Sequence, residues 1–364
     1  MKPHPDLISP GQLGCLLFSF LSGFSTLFLM EAKMVKQDVW VSYLLGIALS
    51  GGMLWLLCYV QRQHPHLSMF EVFDRLLGRW AAKLLLAVYL VYILEIQAAA
   101  MQALTTFYNT VVLPNTSPDH ILLLIVLSTT YAAYLGLGTI VRTVQVTMPF
   151  FIVAIVIISL FILKNVDSNP FLPMFRHRLP EMAYGGLLSF YFPFGKSVVF
   201  CFLLSHVTRK ERLYAGSMTA VVLSGVYLCA ATYLTFGSLG MQLSTDASFP
   251  FFSAIQLVKF GEYLERIEIM IIGIWTMFTL FEVIVLQYVF TKIVGHLFGL
   301  NKTQAFIFPV GLFFFVIAQK SFPNINDLTL YNLTIAPFST LIPMAAIPLL
   351  LASLTYFTKR GIPR

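Results

Sequence analysis

Two strongly apolar stretches of this chain are each interrupted at their middle, about half a chain apart. One interruption is Ser22-Gly23-Phe24-Ser25, inside a run from about Gln12 to Met30. The other is Phe192-Pro193-Phe194-Gly195, inside a run from about Tyr184 to Leu204. In hydrocarbon an unpaired amide or carbonyl is costly, so such breaks persist only where protein or a water-filled cavity covers them. Broken helices at matching positions of two halves point to a transporter-type binding site near the bilayer midplane.

Composition agrees with a membrane protein. Charged residues make up 11% of the chain and hydrophobic ones 58%, whereas a soluble domain carries roughly 25% charged residues. A formal charge of +7 raises nucleic acid as a partner. The basic residues argue against it, because they gather at the ends of apolar runs and form no continuous polar face. Cys15, Cys58, Cys201 and Cys229 all fall within apolar spans and read as small buried hydrophobes. There is no Walker loop, no His/Cys metal-ligand cluster, no nucleophile elbow and no cleavable signal pattern. The sequence therefore predicts no enzyme, no catalytic residue, no metal site and no cofactor.

A transmembrane helix needs about 20 apolar residues. Ten spans follow, at 11–31, 39–61, 81–112, 119–136, 142–163, 183–206, 213–238, 266–294, 304–319 and 333–356. Arg62, Arg75, Arg79, Lys83, Arg142, Arg209, Lys210, Arg212, Lys292, Lys302, Lys359 and Arg360 then share one side with Lys2 and Arg364. That excess predicts both termini in the cytoplasm. Breaks in the first and sixth of ten spans imply five plus five. Each half has an odd number of spans, so the second is inverted in the membrane. The expected fold is an all-α membrane protein forming a single domain over 1–364. Its first repeat covers about 11–163 and its second about 183–356.

Two connections read as surface helices. Ser68-Met69-Phe70-Glu71 has the form of a capping box, and Leu67, Phe70, Phe73, Leu76 and Leu77 give an apolar face. Pro250 opens a second stretch, in which Phe251, Ile255 and Val258 recur at helical spacing. It either covers the outer mouth or merely closes a connection.

At the first break the amides of about Phe24 to Thr26 lose their intrahelical partners and suit a carboxylate. The carbonyls of about Phe20 to Ser22 become free to accept from an ammonium group. Pro193 frees a carbonyl one turn earlier in span six. Together these groups fit a zwitterion such as an amino acid, although Gly23 could instead serve close packing and Pro193 could be only a kink. Glu95, Lys196 and Glu282 lie near mid-membrane, where a charge costs about 2.5–3.5 kcal/mol on insertion scales. Lys196 is expected to pair with Glu95, with Glu282 or with a ligand carboxylate; a buried ion pair that only locks spans together is the plainer alternative. Glu95, Ala99 and Gln102 share one face of span three, and Trp275, Thr279 and Glu282 one face of span eight. Gly46 and Ser50 of span two most simply allow close helix approach.

Several segments carry a resemblance to a known family. They are Ile8-Ser9-Pro10-Gly11-Gln12, Ser22-Gly23, Phe192-Pro193-Phe194-Gly195, Phe249-Pro250 and the run from Phe260-Gly261-Glu262-Tyr263 to Glu268. They resemble the B subunits of bacterial spore germinant receptors, a branch of the amino acid–polyamine–organocation transporters. The resemblance implies a multi-pass protein of the spore inner membrane, with A and C subunits as partners and a small nutrient, often an amino acid, as ligand. It places that ligand between the breaks, at Ser22, Gly23, Phe24, Ser25 and Thr26 and at Tyr191, Phe192, Pro193 and Phe194, against spans three and eight. Gln102, Trp275 and Thr279 are the wall residues expected there. A proton- or sodium-coupled amino acid transporter is the competing reading.

Overall fold

Each apolar run folds as a helix because hydrocarbon offers its amides no other partner. A computed structural model describes residues 7–23, 25–167, 171–257, 268–300, 302–322 and 324–360. Phe24, Val258 and the stretch from Phe260 to Ile267 lie outside these residues. Among those described, eight helices are long and apolar enough to cross a membrane. The interrupted first span and the 17-residue helix Pro118–Tyr134 complete the ten.

Span one begins at Ser9, whose hydroxyl accepts from the Gln12 amide while the Gln12 side chain accepts from the Ser9 amide. The helix Pro10–Ser22 ends at Gly23. Two short helices follow, Ser25–Phe28 and Met30–Val35, the second entered through Leu29 at φ 45°. The sequence predicts one continuous outer half-helix here, and the structure instead divides it in two. Span two is Val39–Gln63, span three Arg79–Val112, span four Pro118–Tyr134 and span five Leu137–Leu163. Span six runs as Leu179–Tyr191 and, beyond Phe192-Pro193, as Phe194–His206. Spans seven to ten are Leu213–Leu239, Glu268–Phe298, Ile307–Ser321 and Ala336–Thr358.

The packing carries the repeat. Helix Pro10–Ser22 packs against span seven, and Leu179–Tyr191 of span six packs against span two. Exchanging the halves turns one contact into the other. The same exchange relates the contact of spans one and five to that of six and ten, while two meets seven and three meets eight. This is the inverted five-plus-five arrangement. Below, the near face is the side on which Pro10 lies, and the far face is the opposite side.

Aromatic side chains pack over the breaks on both faces. On the far face, helix Pro250–Gln256 sits as a cap. The Phe249 ring packs on Phe28 and Phe107 at 5.5 and 5.1 Å, and Phe251 and Phe252 reach Trp275. On the near face, Phe20 meets Phe200 edge-on at 5.1 Å. There Ile8 also pairs with the end of span six: its amide donates to the His206 carbonyl and its carbonyl accepts from the Thr208 amide.

The surface helix Met69–Leu77 forms as its capping box predicts, the Ser68 amide donating to Glu71 Oε2 at 2.7 Å. Gly78, at φ 77°, turns the chain from this helix directly into span three. Phe70 and Phe73 stack on Phe202 of span six. Hydrogen bonds from the Ser68 hydroxyl and amide hold the Glu71 carboxyl below its ordinary range. A depressed carboxylate contributes stability above its ordinary range and loses it as the pH falls. Ser68→Ala should therefore cost about 1 kcal/mol of local stability. Hydrogen exchange at the Val72 and Phe73 amides should show that cost shrinking toward acid pH.

Candidate functional site

The first break is held by its own hydroxyls. Ser25 Oγ donates to the Leu21 carbonyl at 2.9 Å, and Thr26 Oγ1 points at the carbonyls of Ser22 and Gly23, each at 3.4 Å. The sequence predicts free carbonyls at Phe20 to Ser22. The structure corrects this for Leu21 and Ser22, because a serine or threonine one turn onward back-bonds to the chain. The helix beyond the break, Ser25–Phe28, has only four residues, so its dipole is short and the amides count singly. Ser22 Oγ reaches Ser224 Oγ of span seven at 3.1 Å.

Span eight lies along this break. A Cβ at Gly23 would stand 2.7 Å from Phe278 Cβ and 3.1 Å from the Thr279 amide nitrogen. The glycine thus lets the two backbones touch. Trp275 Nε1 donates to Thr26 Oγ1 at 2.9 Å. Thr26→Val keeps the shape and orphans the indole N–H, so it should cost about 1–3 kcal/mol. Thr26→Ser should retain the bond, and thermal unfolding of the purified pair of variants separates the two outcomes.

At the second break, Phe192 is extended and Pro193 follows it, so the chain leaves one helix and enters the next at an offset. A Cβ at Gly195 would meet the Phe190 carbonyl oxygen and Met344 Sδ. Beyond it the chain winds as a 3₁₀-helix, which aligns every third residue. Phe194 and Ser197 so face span two, where Ser50 Oγ donates to the Phe194 carbonyl at 2.9 Å and lies 3.0 Å from Ser197 Oγ. The Phe194 ring packs among Gly46, Gly225 and their neighbours, between spans two and seven. Tyr191 donates to Asn332 Oδ1 at 2.8 Å.

One ion pair ties the second break to span eight, the same span that borders the first. Lys196 Nζ lies 2.6 Å from Glu282 Oε1, with each side chain only 2% exposed. Of the partners open to it in the sequence, Lys196 takes Glu282, the residue one turn below Thr279. Its ammonium also sits 4.4 Å from the Phe192 ring centroid and 5.5 Å from that of Phe20, a cation–π arrangement that helps hold it in place. Glu95 is not its partner; Tyr331 stands beside it. Gln102 is half-buried two turns further along span three. Phe24 lies outside the described residues.

An apolar groove of about 450 Å³ lies between spans one, five and seven; Gly14, Phe18 and Tyr227 line its inner wall, and Ile152, Val156, Leu223 and Val226 line it from the exposed outer surface of the bundle. Phe18 and Tyr227 join it to the first break. The Phe18 ring packs edge-on to Phe278, which touches Gly23, and Tyr227 stands beside Thr26 and Trp275.

Comparison with known proteins places this architecture. The family model described as "Spore germination protein" matches residues 7–324. The chain belongs to the spore germination protein family. Within it, the chain is 21% identical over 359 residues to spore germination protein KB of Bacillus subtilis (strain 168), covering 97% of this chain and 95% of that one. It is 24% identical over 347 residues to spore germination protein GerQB of Bacillus cereus, covering 89% of each. Among solved structures it resembles MhsT in complex with L-phenylalanine, with a TM-score of 0.69 at 14% identity, covering 96% of this chain and 89% of that one. At that identity the likeness shows a shared transporter fold. Three residues of this family member escaped the sequence reading as site residues: Ser50, Ser224 and Tyr227. The first two are hydroxyls that look like small packing residues in an apolar span, and only Gly46, four residues before Ser50, hinted at a crowded face.

Proposed function

We propose that this chain is the nutrient-sensing subunit of a spore germinant receptor. An amino acid sits between the breaks, its charged end at Ser22–Thr26 and Lys196 and its apolar end toward Phe18 and Tyr227. The observation that carries the reading is the convergence of Trp275–Thr26, Gly23–Thr279 and Lys196–Glu282 on one face of span eight, between the two breaks. Lys196 has one carboxylate partner now and would be offered a second by the ligand. Competition between the two is what would bias the conformations that A and C subunits read. The near face is cytoplasmic in this reading, and the membrane is the spore inner membrane.

The fold likeness to a transporter whose structure holds L-phenylalanine supports a second reading, coupled amino acid transport. Purified chain in lipid vesicles, screened against a panel of common amino acids, distinguishes them. Sensing predicts saturable thermal stabilisation by one or a few amino acids without accumulation of the labelled compound inside. Accumulation would favour transport, and neither binding nor uptake by any amino acid would overturn both.

A further inference from the structure

On the far face a strap, residues 171–178, leads into span six and is tied to the start of span two. The anchor is the Asp38 carboxylate, which is fully buried. It accepts from the amides of Phe175, Arg176 and His177 at 2.6, 2.9 and 3.1 Å. His177 Nδ1 lies 2.9 Å from the same carboxylate, and Gln37 Nε2 donates to the Pro173 carbonyl at 3.3 Å. These bonds hold Phe175 at φ 58°, a left-handed backbone that a bulky residue rarely adopts. They hold it there with its ring exposed, beside exposed Leu172, Met174 and Leu179. Apolar side chains grouped in this way mark a membrane or a partner surface. Trp40, 5.6 Å from the Phe175 ring and edge-on to it, favours membrane. Together with Tyr233 of span seven it forms a partly exposed aromatic pair of the kind found at headgroup level.

Beneath the strap lies an apolar groove of about 410 Å³ between spans two and seven. Trp40, Tyr43, Phe171, Met174, Thr232 and Tyr233 line it. Its two buried hydroxyls, on Tyr43 and Thr232, bond each other at 3.0 Å and so leave carbon facing the groove. Phe171 stacks on Tyr233 at 4.9 Å and closes the strap onto span seven. Tyr233 stands about 9 Å below the end of that span at Leu239, at 1.5 Å per residue. The groove therefore reaches from headgroup level into hydrocarbon. Its upper end lies under a basic run. The Arg176 amide is held by Asp38, and Gln37 and Val39 on either side of Asp38 line the groove. The Arg176 and Arg178 side chains are exposed, and neither forms a salt bridge among the described residues. The Glu181 carboxylate nearby accepts from the Arg178 amide. Guanidiniums above an apolar slot are complementary to a phosphate carried on a hydrocarbon chain.

We propose that this is a binding site for an anionic phospholipid of the far leaflet. One acyl chain lies in the groove beneath the strap, and the headgroup phosphate is held by Arg176 and Arg178. The strap runs directly into Leu179–Tyr191, the first half of the broken span six. A lipid seated here braces that half-helix against span two, on which it packs. The proposal does not rest on the sensing reading, since it concerns a lipid and not the nutrient.

The test uses the full chain in lipid nanodiscs and a phosphatidylglycerol with a diazirine in one acyl chain. After illumination, mass spectrometry of peptides should find the label concentrated on residues 171–174 and 229–233. Unlabelled phosphatidylglycerol should displace it at a several-fold lower concentration than phosphatidylcholine does. The double variant Arg176→Gln/Arg178→Gln should lose that preference and keep the wild-type thermal midpoint, because both side chains are exposed. Label spread evenly over the exposed faces of the spans is ordinary boundary lipid and overturns the proposal. Equal displacement by the two lipids overturns it as well. Both of these readings are made on the wild type and need no variant to fold. A preference that persists in the folded double variant overturns the assignment of the phosphate to the two arginines.

Discussion

Lys196→Met should lower the stability of the purified protein by about 3–5 kcal/mol, because it strands the Glu282 carboxylate in a site only 2% exposed. Most of that loss is desolvation of an orphaned charge, not the intrinsic worth of the pair. Adding Glu282→Gln should therefore recover most of the stability, and a double-mutant cycle on thermal midpoints measures the coupling. In the proposed sensing role, nutrient response should not recover with stability, since the doubly substituted protein has no cation at the breaks. If both the fold and the response survive the single substitution, Lys196 has neither a locking nor a binding role.

Gly23→Ala tests the closest approach in the core. Its Cβ would stand 2.7 Å from Phe278 Cβ and 3.1 Å from the Thr279 nitrogen. The second of these is backbone and cannot rotate away. Spans one and eight must separate, at an overpacking cost of about 1–3 kcal/mol. Separation also stretches the Trp275–Thr26 hydrogen bond. The expected result is a lower unfolding midpoint and, if the proposed site is right, a larger loss of nutrient affinity than Thr26→Val produces. A variant that unfolds and binds like wild type would show that the break tolerates a side chain.

Helical periodicity made one face of span eight readable in advance. Trp275, Thr279 and Glu282 recur at helical spacing, and each touches a different part of the two breaks. The breaks themselves were readable because a glycine or proline inside an apolar run has few other uses. Which carboxylate Lys196 takes was not readable, because Glu95 and Glu282 stand at similar depth on different spans and no one-dimensional pattern ranks them. The state of the freed carbonyls was misread for a local reason. The sequence offers Ser25 and Thr26 to a ligand through their amides and gives no sign that their hydroxyls turn back onto the Leu21 and Ser22 carbonyls. The 3₁₀ winding after Gly195 has no signature in the hydrophobic pattern, and it decides that Phe194 faces spans two and seven.

The pairing of Ile8 with the stretch from His206 to Thr208 bears on how the molecule can open. It staples the entry of the first interrupted helix to the exit of the second. The two cannot swing apart like a pair of doors unless both backbone hydrogen bonds break. While the staple holds, they travel as a single leaf, and any widening toward that side has to occur where this leaf meets its neighbours.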